Sequence, residues 1–133
     1  MDWKGFWNES GQLRDRDCCR QVGRTFKGAA YSDSEIAGMV ERLLELLNPL
    51  PDGTLLDLGC GNGLVTSRLA SHFRTVTGLD FSQPLIDTAK SRFAGNNVEY
   101  VLGDAIDLDA VEGPFDRVLM RPAVERGQPG QAK

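Results

Sequence analysis

The sequence predicts an α/β fold built on a parallel sheet, and three observations carry that prediction. From Thr54 onward, short apolar runs alternate with amphipathic stretches, in the order strand, helix, strand, helix, strand, crossover, strand. The first run, Thr54 to Leu58, is almost wholly apolar, as in a strand covered on both faces. It opens the segment "TLLDLGCGNG", in which three glycines follow an acid at every second position, and the next two runs lead into the acids Asp80 and Asp104.

Bulk properties narrow the function classes. A chain of 133 residues builds one core and not two. A formal net charge of −4 argues against a generic nucleic-acid binder, whose phosphate contacts need clustered Lys and Arg, so no nucleic-acid partner is expected. No apolar run has the length of a membrane span, and no signal-peptide pattern follows Met1, so no membrane partner is expected. The cysteines are Cys18, Cys19 and Cys60. An odd count without CxxC spacing gives neither a disulfide framework nor a metal site, and points to a reducing cytoplasm.

Taken in order, residues 1–52 are expected to form an N-terminal helical cap. Trp3, Phe6 and Trp7 have the spacing of one helical face, favoured here as an arm docked on the core, with a lid over an apolar substrate as the alternative. Gly11 to Arg20 is dense in charge and reads as a solvated helix. Ser32 to Leu47 is a clear helix. Ser32 or Asp33 caps it, Glu35 completes a capping box, and Ile36, Met39, Val40, Leu43, Leu44 and Leu47 form its buried stripe. Asn48-Pro49 stops it, and Pro51-Asp52-Gly53 turns the chain into the core unit, residues 53–120.

Within that unit, Thr54 to Leu58 is followed by a helix from Gly63 to His72, with Leu64, Val65, Leu69 and Ala70 inward. A second strand spans Thr75 to Leu79 and ends at Asp80. Ser82 caps a helix that carries Pro84 in its first turn and runs to about Phe93, with Leu85, Ile86 and Ala89 inside. Gly95-Asn96-Asn97 turns into a third strand, Val98 to Leu102. Ile106 to Val111 is a short helix or irregular crossover, and Phe115 to Met120 is the fourth strand.

Ligands of such sheets bind beyond the carboxyl ends of the strands, where the glycine turn lies. Glycines allow a tight turn and close approach of main-chain N–H groups, and a helix starting at Gly63 would turn its positive end toward an anionic group. A ligand-free turn would need one or two glycines rather than three alternating ones followed by two acids. Asp80 suits a pair of ribose hydroxyls, and Asp104 an exocyclic amine, although an acid in that setting is more often a turn residue. The three loops together outline an adenosine bearing a zwitterion. A dinucleotide fits less well: the third glycine of G-x-G-x-x-G is replaced by Leu64, and Asp57 would repel a pyrophosphate.

With these residues in place, the sequence resembles the class I S-adenosylmethionine-dependent methyltransferases of the small-molecule type. "LLDLGCGNG", "GLDFSQPLIDTAK", "YVLGDA" and "FDRVLM" match the family's motifs in kind and order from about Thr54 to Met120. The resemblance implies a Rossmann-like sheet of about four strands in the order 3-2-1-4, counted from Thr54, and S-adenosyl-L-methionine as cofactor, with S-adenosyl-L-homocysteine as product. It implies that Gly59, Cys60, Gly61, Asn62 and Gly63 line the methionine part, with Asp57 just behind. Asp80 would hold the ribose, Phe81 would pack on the adenine, and Asp104 with Ala105 would meet the adenine edge. Met120 would end the strand facing the methyl group. Arg24 or Thr25, in "QVGRT", is a further candidate for the cofactor carboxylate, with an exposed loop role equally open.

The expected reaction is methyl transfer by proximity, to a small-molecule acceptor that the sequence does not identify. No general base is evident. His72, the single histidine, sits away from the strand tips, and Cys60 reads as a small residue required by the turn. The sheet is expected to be incomplete. Arg121 to Lys133 is rich in Gly, Pro and Gln and is expected to be a disordered tail, so the fourth strand would present Val118, Leu119 and Met120 on an open edge. Three readings follow: a C-terminally truncated or frameshifted methyltransferase, which is preferred, a half-domain completed by a second copy or partner chain along that edge, and a non-catalytic cofactor-binding or dimerising module.

Overall fold

The computed structural model describes residues 32–120, together with the two-residue strands β1 (Thr25–Phe26) and β2 (Ala29–Ala30), which pair antiparallel. The expectations for the aromatic arm, the charged stretch, Cys18 and Cys19, Arg24, the side chain of Thr25 and the tail fall outside the described residues.

Helix α1 (Asp33–Leu47) starts at the predicted capping box. Ser32 Oγ accepts the Glu35 N–H at 3.2 Å, and Glu35 Oε1 accepts the Ser32 N–H at 2.7 Å. Asn48 ends the helix in the left-handed region (φ 47), a conformation that asparagine tolerates better than most side chains. The Arg117 guanidinium then closes the helix end, donating to the Leu47 carbonyl at 2.6 Å and the Asn48 carbonyl at 3.1 Å. Of the predicted stripe, Ile36, Val40 and Leu47 are buried, and Met39, Leu43 and Leu44 pack beside them, partly covered.

The main sheet has four parallel strands, β3 (Thr54–Leu58), β4 (Thr75–Asp80), β5 (Val98–Leu102) and β6 (Arg117–Met120), in the order β5-β4-β3-β6. This is the expected order 3-2-1-4. The chain steps outward from β3 to β5 and then returns to the other side of β3, so the strand order reverses at the carboxyl end of β3.

Two element boundaries differ from the sequence reading. The helix expected over Gly63 to His72 is only α2 (Thr66–Leu69), continued by a 3₁₀ turn, Ala70–His72. Residues 59–65 stay in the turn because Gly63 has a positive φ and Asn62 Oδ1 accepts the Leu64 N–H at 3.1 Å, so the apolar pair Leu64-Val65 is buried from a loop. The fourth strand begins at Arg117 rather than Phe115. Phe115 instead packs on the sheet, and the Asp116 carboxylate accepts the Thr54 N–H at 2.8 Å, so these residues lead into the strand without joining it. Helix α3 (Gln83–Arg92) has Ser82 as its cap, with Leu85, Ile86 and Ala89 buried as expected, and the crossover between β5 and β6 is irregular apart from a 3₁₀ turn at Leu108–Ala110.

The two faces of the sheet are covered differently. Leu55 and Val76 pack with α1, α2 and their flanking turns, and Tyr100 packs with Ile86 and Ala89 of α3. On the opposite face, Leu56, Leu58 and Leu79 are joined by Val101, Val111 and Phe115. Val118 and Met120 on β6 remain 56 % and 60 % exposed.

Candidate functional site

The alternating glycines of the β3 turn are explained by backbone conformation. Gly59, Gly61 and Gly63 all have positive φ, at 83°, 61° and 86°. At Gly63 there is a second reason: an added Cβ would lie 2.8 Å from the Tyr100 hydroxyl and 3.1 Å from Ala89 Cβ. No other residue type fits there without strain.

This turn folds inward on itself. The Gly59 and Cys60 N–H groups both donate to the Leu79 carbonyl, at 2.7 and 3.0 Å. The Gly61 N–H donates to Asp80 Oδ1 at 3.1 Å, Gly63 to the Cys60 carbonyl at 3.2 Å, and Leu64 to the Asn62 side chain. The first three donors hold the turn against β4, and the last two close it on itself. The sequence expectation that the loop and a helix at Gly63 would offer N–H groups to an anion is corrected by this geometry. A helix of four residues adds little dipole, and the loop donors named here already have acceptors.

Cys60 is buried over Gly78, where an added Cβ would stand 2.9 Å from Cys60 Cβ. It fills the space over that glycine. Gly78 lies in register with Asp57 on one side and Tyr100 on the other. Burial, reinforced by Cys60 and Asp57, pushes the Tyr100 hydroxyl well above the usual phenol range. It remains a donor, to the Phe93 carbonyl at 2.7 Å.

Among the predicted site residues, Asp57 is fully buried and accepts a hydrogen bond from Thr66 Oγ1 at 2.7 Å. It sits beneath the turn. Asn62 is also buried and shapes the turn. Asp80 bridges two segments: Oδ1 accepts from Gly61 and Oδ2 accepts the Ser82 N–H at 3.1 Å. The acid that the sequence marks for a ribose thus also ties the glycine turn to the start of α3.

Phe81 is half-buried beside Asp80. The Gly103 N–H donates to the Asp80 carbonyl at 2.9 Å, which brings the loop after β5 alongside. Asp104 there makes a local turn, accepting the Ile106 N–H at 3.0 Å, and Ala105 is exposed. Met120 ends β6 opposite Leu58, at the same edge of the sheet. His72 lies exposed at the end of the 3₁₀ turn after α2. No group of His, Cys, Asp and Glu that could hold a metal occurs among the described residues, and no helix there is long and apolar enough to cross a membrane.

Three contributors escaped the sequence reading. Thr66 and Tyr100 are buried polar partners, and the Ser82 main chain joins its side chain in serving the site. A threonine among the inward positions of an apolar segment was the available signal for Thr66.

With this geometry, the comparisons with known proteins agree in kind. A family described as a methyltransferase domain matches residues 55–131, running past Met120, where the sequence resemblance was placed to end. The ribosomal RNA small subunit methyltransferase C of Citrobacter koseri is 34% identical over 129 residues, 96% of this chain and 36% of that protein. A protein named as an uncharacterised methyltransferase in Mycobacterium tuberculosis is 32% identical over 84 residues, 63% of this chain and 43% of that protein. Phosphoethanolamine N-methyltransferase 1 of Haemonchus contortus, solved with phosphoethanolamine and S-adenosylhomocysteine, superimposes with a TM-score of 0.67 at 25% identity, over 89% of this chain and 24% of that one. The chain thus spans less than half the length of each of these proteins.

Proposed function

Because the chain belongs to the methyltransferase domain family, we propose that it binds S-adenosylmethionine at the carboxyl ends of β3, β4 and β5 and serves methyl transfer to a small-molecule acceptor. The observation that carries this is the inward engagement of the glycine-turn donors. A pyrophosphate cradle needs outward N–H groups, whereas this turn backs onto a buried carboxylate and suits a ligand with an ammonium group. The dinucleotide alternative loses ground accordingly.

In this reading Gly59, Cys60, Gly61, Asn62 and Gly63 shape the wall for the methionine part, and Asp57 supplies negative charge from below. Asp80 receives the ribose hydroxyls, Phe81 covers one adenine face, and Asp104 with Ala105 meets the adenine edge. Met120 stands at the end of β6 on the side of the transferred methyl. When bound, the sulfonium would supply an activated methyl group to the acceptor's lone pair, with S-adenosylhomocysteine as the leaving thioether. The acceptor's own proton leaves to solvent, since no base is assigned. What the chain contributes is orientation and exclusion of water. Buried Cys60 stays a thiol in a cytoplasmic setting.

Among the described residues, Asp80 and Asp104 stand at and just after the carboxyl ends of β4 and β5, and negative charge there favours a small acceptor over a polyanion. A second reading, a cofactor-binding module that relies on another segment or chain for the acceptor, is favoured by the exposure of Val118 and Met120 beside the methyl position.

Incubation with methyl-labelled S-adenosylmethionine, a small-molecule extract and ribosomal RNA tests the proposal. Label is expected in the small-molecule fraction, with release of S-adenosylhomocysteine. Label confined to RNA would overturn the acceptor class, and cofactor binding without any transfer would favour the module.

A further inference from the structure

We infer that Thr66 is a positioning residue that fixes the Asp57 carboxylate beneath the glycine turn and so tunes affinity for ligands bearing an ammonium group. The inference rests on the reading that this turn holds the methionine part of the cofactor.

Both side chains are fully buried, and the Thr66 hydroxyl donates to Asp57 Oδ2 at 2.7 Å. That is a well-formed hydrogen bond from a hydroxyl to a carboxylate oxygen. Asp57 stands in register with Gly78, the residue that Cys60 folds over, so the turn covers it. Having no exposed surface, Asp57 reaches a ligand only by its field through the turn's backbone. In a dry setting that field is strong, and it depends on where the charge is held. Thr66 stands at the other end of the turn, as the first residue of α2, nine residues after Asp57. One bond therefore closes the base of the turn and orients the charge under it. The backbone bond from Ser67 N–H to the Gly63 carbonyl at 2.9 Å seats the start of α2 independently, so the hydroxyl is not the element's sole anchor.

A purely architectural threonine would affect every ligand of the cleft alike. A positioning threonine affects those that reach the ammonium subsite. S-adenosylhomocysteine carries the ammonium, whereas 5′-methylthioadenosine keeps the adenosine and thioether without it. Calorimetric titration of the full chain with both ligands separates the two roles. Thr66→Val is expected to weaken S-adenosylhomocysteine about tenfold, as for loss of a hydrogen bond to a charged group, and 5′-methylthioadenosine less than about twofold. Thr66→Ser should restore both to near the parent values. Asp57→Asn should reproduce the selective loss, and the double variant should be no weaker than Asp57→Asn alone, because both changes remove one interaction. Circular dichroism confirms folding of each variant. If Thr66→Val does not fold, Thr66→Ala set against Thr66→Ser gives the same comparison. Equal losses for the two ligands, no rescue by serine, or additive losses in the double variant would each overturn the role of Thr66. An unmodified chain that binds neither nucleoside would remove the cofactor reading itself, which is a different result.

Discussion

The turn after β3 and the crossover after β5 leave the same edge of one sheet, yet they are built in opposite ways. The β3 turn is buried and held by distant partners: Asp80 on Gly61, Leu79 on Gly59 and Cys60, and Tyr100 against Gly63. The crossover is mostly exposed: Asp104 and Asp107 make local turns onto Ile106 and Asp109, Ile106 is 92 % exposed, and Val111 and Phe115 anchor the returning chain on the sheet. The first is a wall fixed by the core, and the second is a largely solvent-facing segment pinned at its two ends.

The sharpest way to break this contrast is Gly63→Ala. Positive φ and a Cβ 2.8 Å from the Tyr100 hydroxyl should together destabilise the fold by roughly 2–5 kcal/mol in urea unfolding. Asp80→Ala comes next. It leaves the Gly61 and Ser82 N–H groups without their carboxylate, at about 1–3 kcal/mol, and should weaken nucleoside binding by about tenfold or more. Unchanged nucleoside affinity would remove the ribose assignment while leaving the turn-bracing role.

Tyr100→Phe is smaller, about 1 kcal/mol for the bond to the Phe93 carbonyl. It also has a pH signature. The folded hydroxyl holds its proton more tightly than the unfolded one, so its contribution is fully present below about pH 10 and is lost as pH rises above that value. The parent chain should therefore lose more stability than Tyr100→Phe between pH 8 and pH 11, and parallel losses would contradict the buried-phenol assignment. Ile106→Ser, on the exposed stretch of the crossover, should change stability by less than about 0.5 kcal/mol. A larger loss would mean that Ile106 is packed after all.

Sequence legibility divides along the same line. Strands β3 and β5 have the boundaries that the apolar runs predicted, and the capping box of α1 and the cap of α3 are read directly, because propensity and pattern there agree with tertiary packing. The helix after the turn was overextended: Leu64, Val65, Leu69 and Ala70 carry a helical period, but Gly63 and Asn62 hold the first two in a loop. Periodicity records which residues are buried and not which backbone buries them. The glycine turn was legible, while its steric reasons, Tyr100 under Gly63 and Cys60 over Gly78, depend on strand register and were not visible in one dimension. What the structure shows for the acids singled out in the sequence is bracing: Asp57 accepts from Thr66, Asp80 from Gly61 and Asp104 from Ile106, pairings that sequence spacing does not reveal.

The central claim is that this turn and its two flanking loops receive an S-adenosyl nucleoside. Calorimetric titration of the 133-residue chain with S-adenosylmethionine and S-adenosylhomocysteine, and with NAD as control, tests it most directly. Saturable binding of both sulfur nucleosides, one per chain, with no heat from NAD is the predicted result. Binding of NAD, or of none of the three, would contradict it.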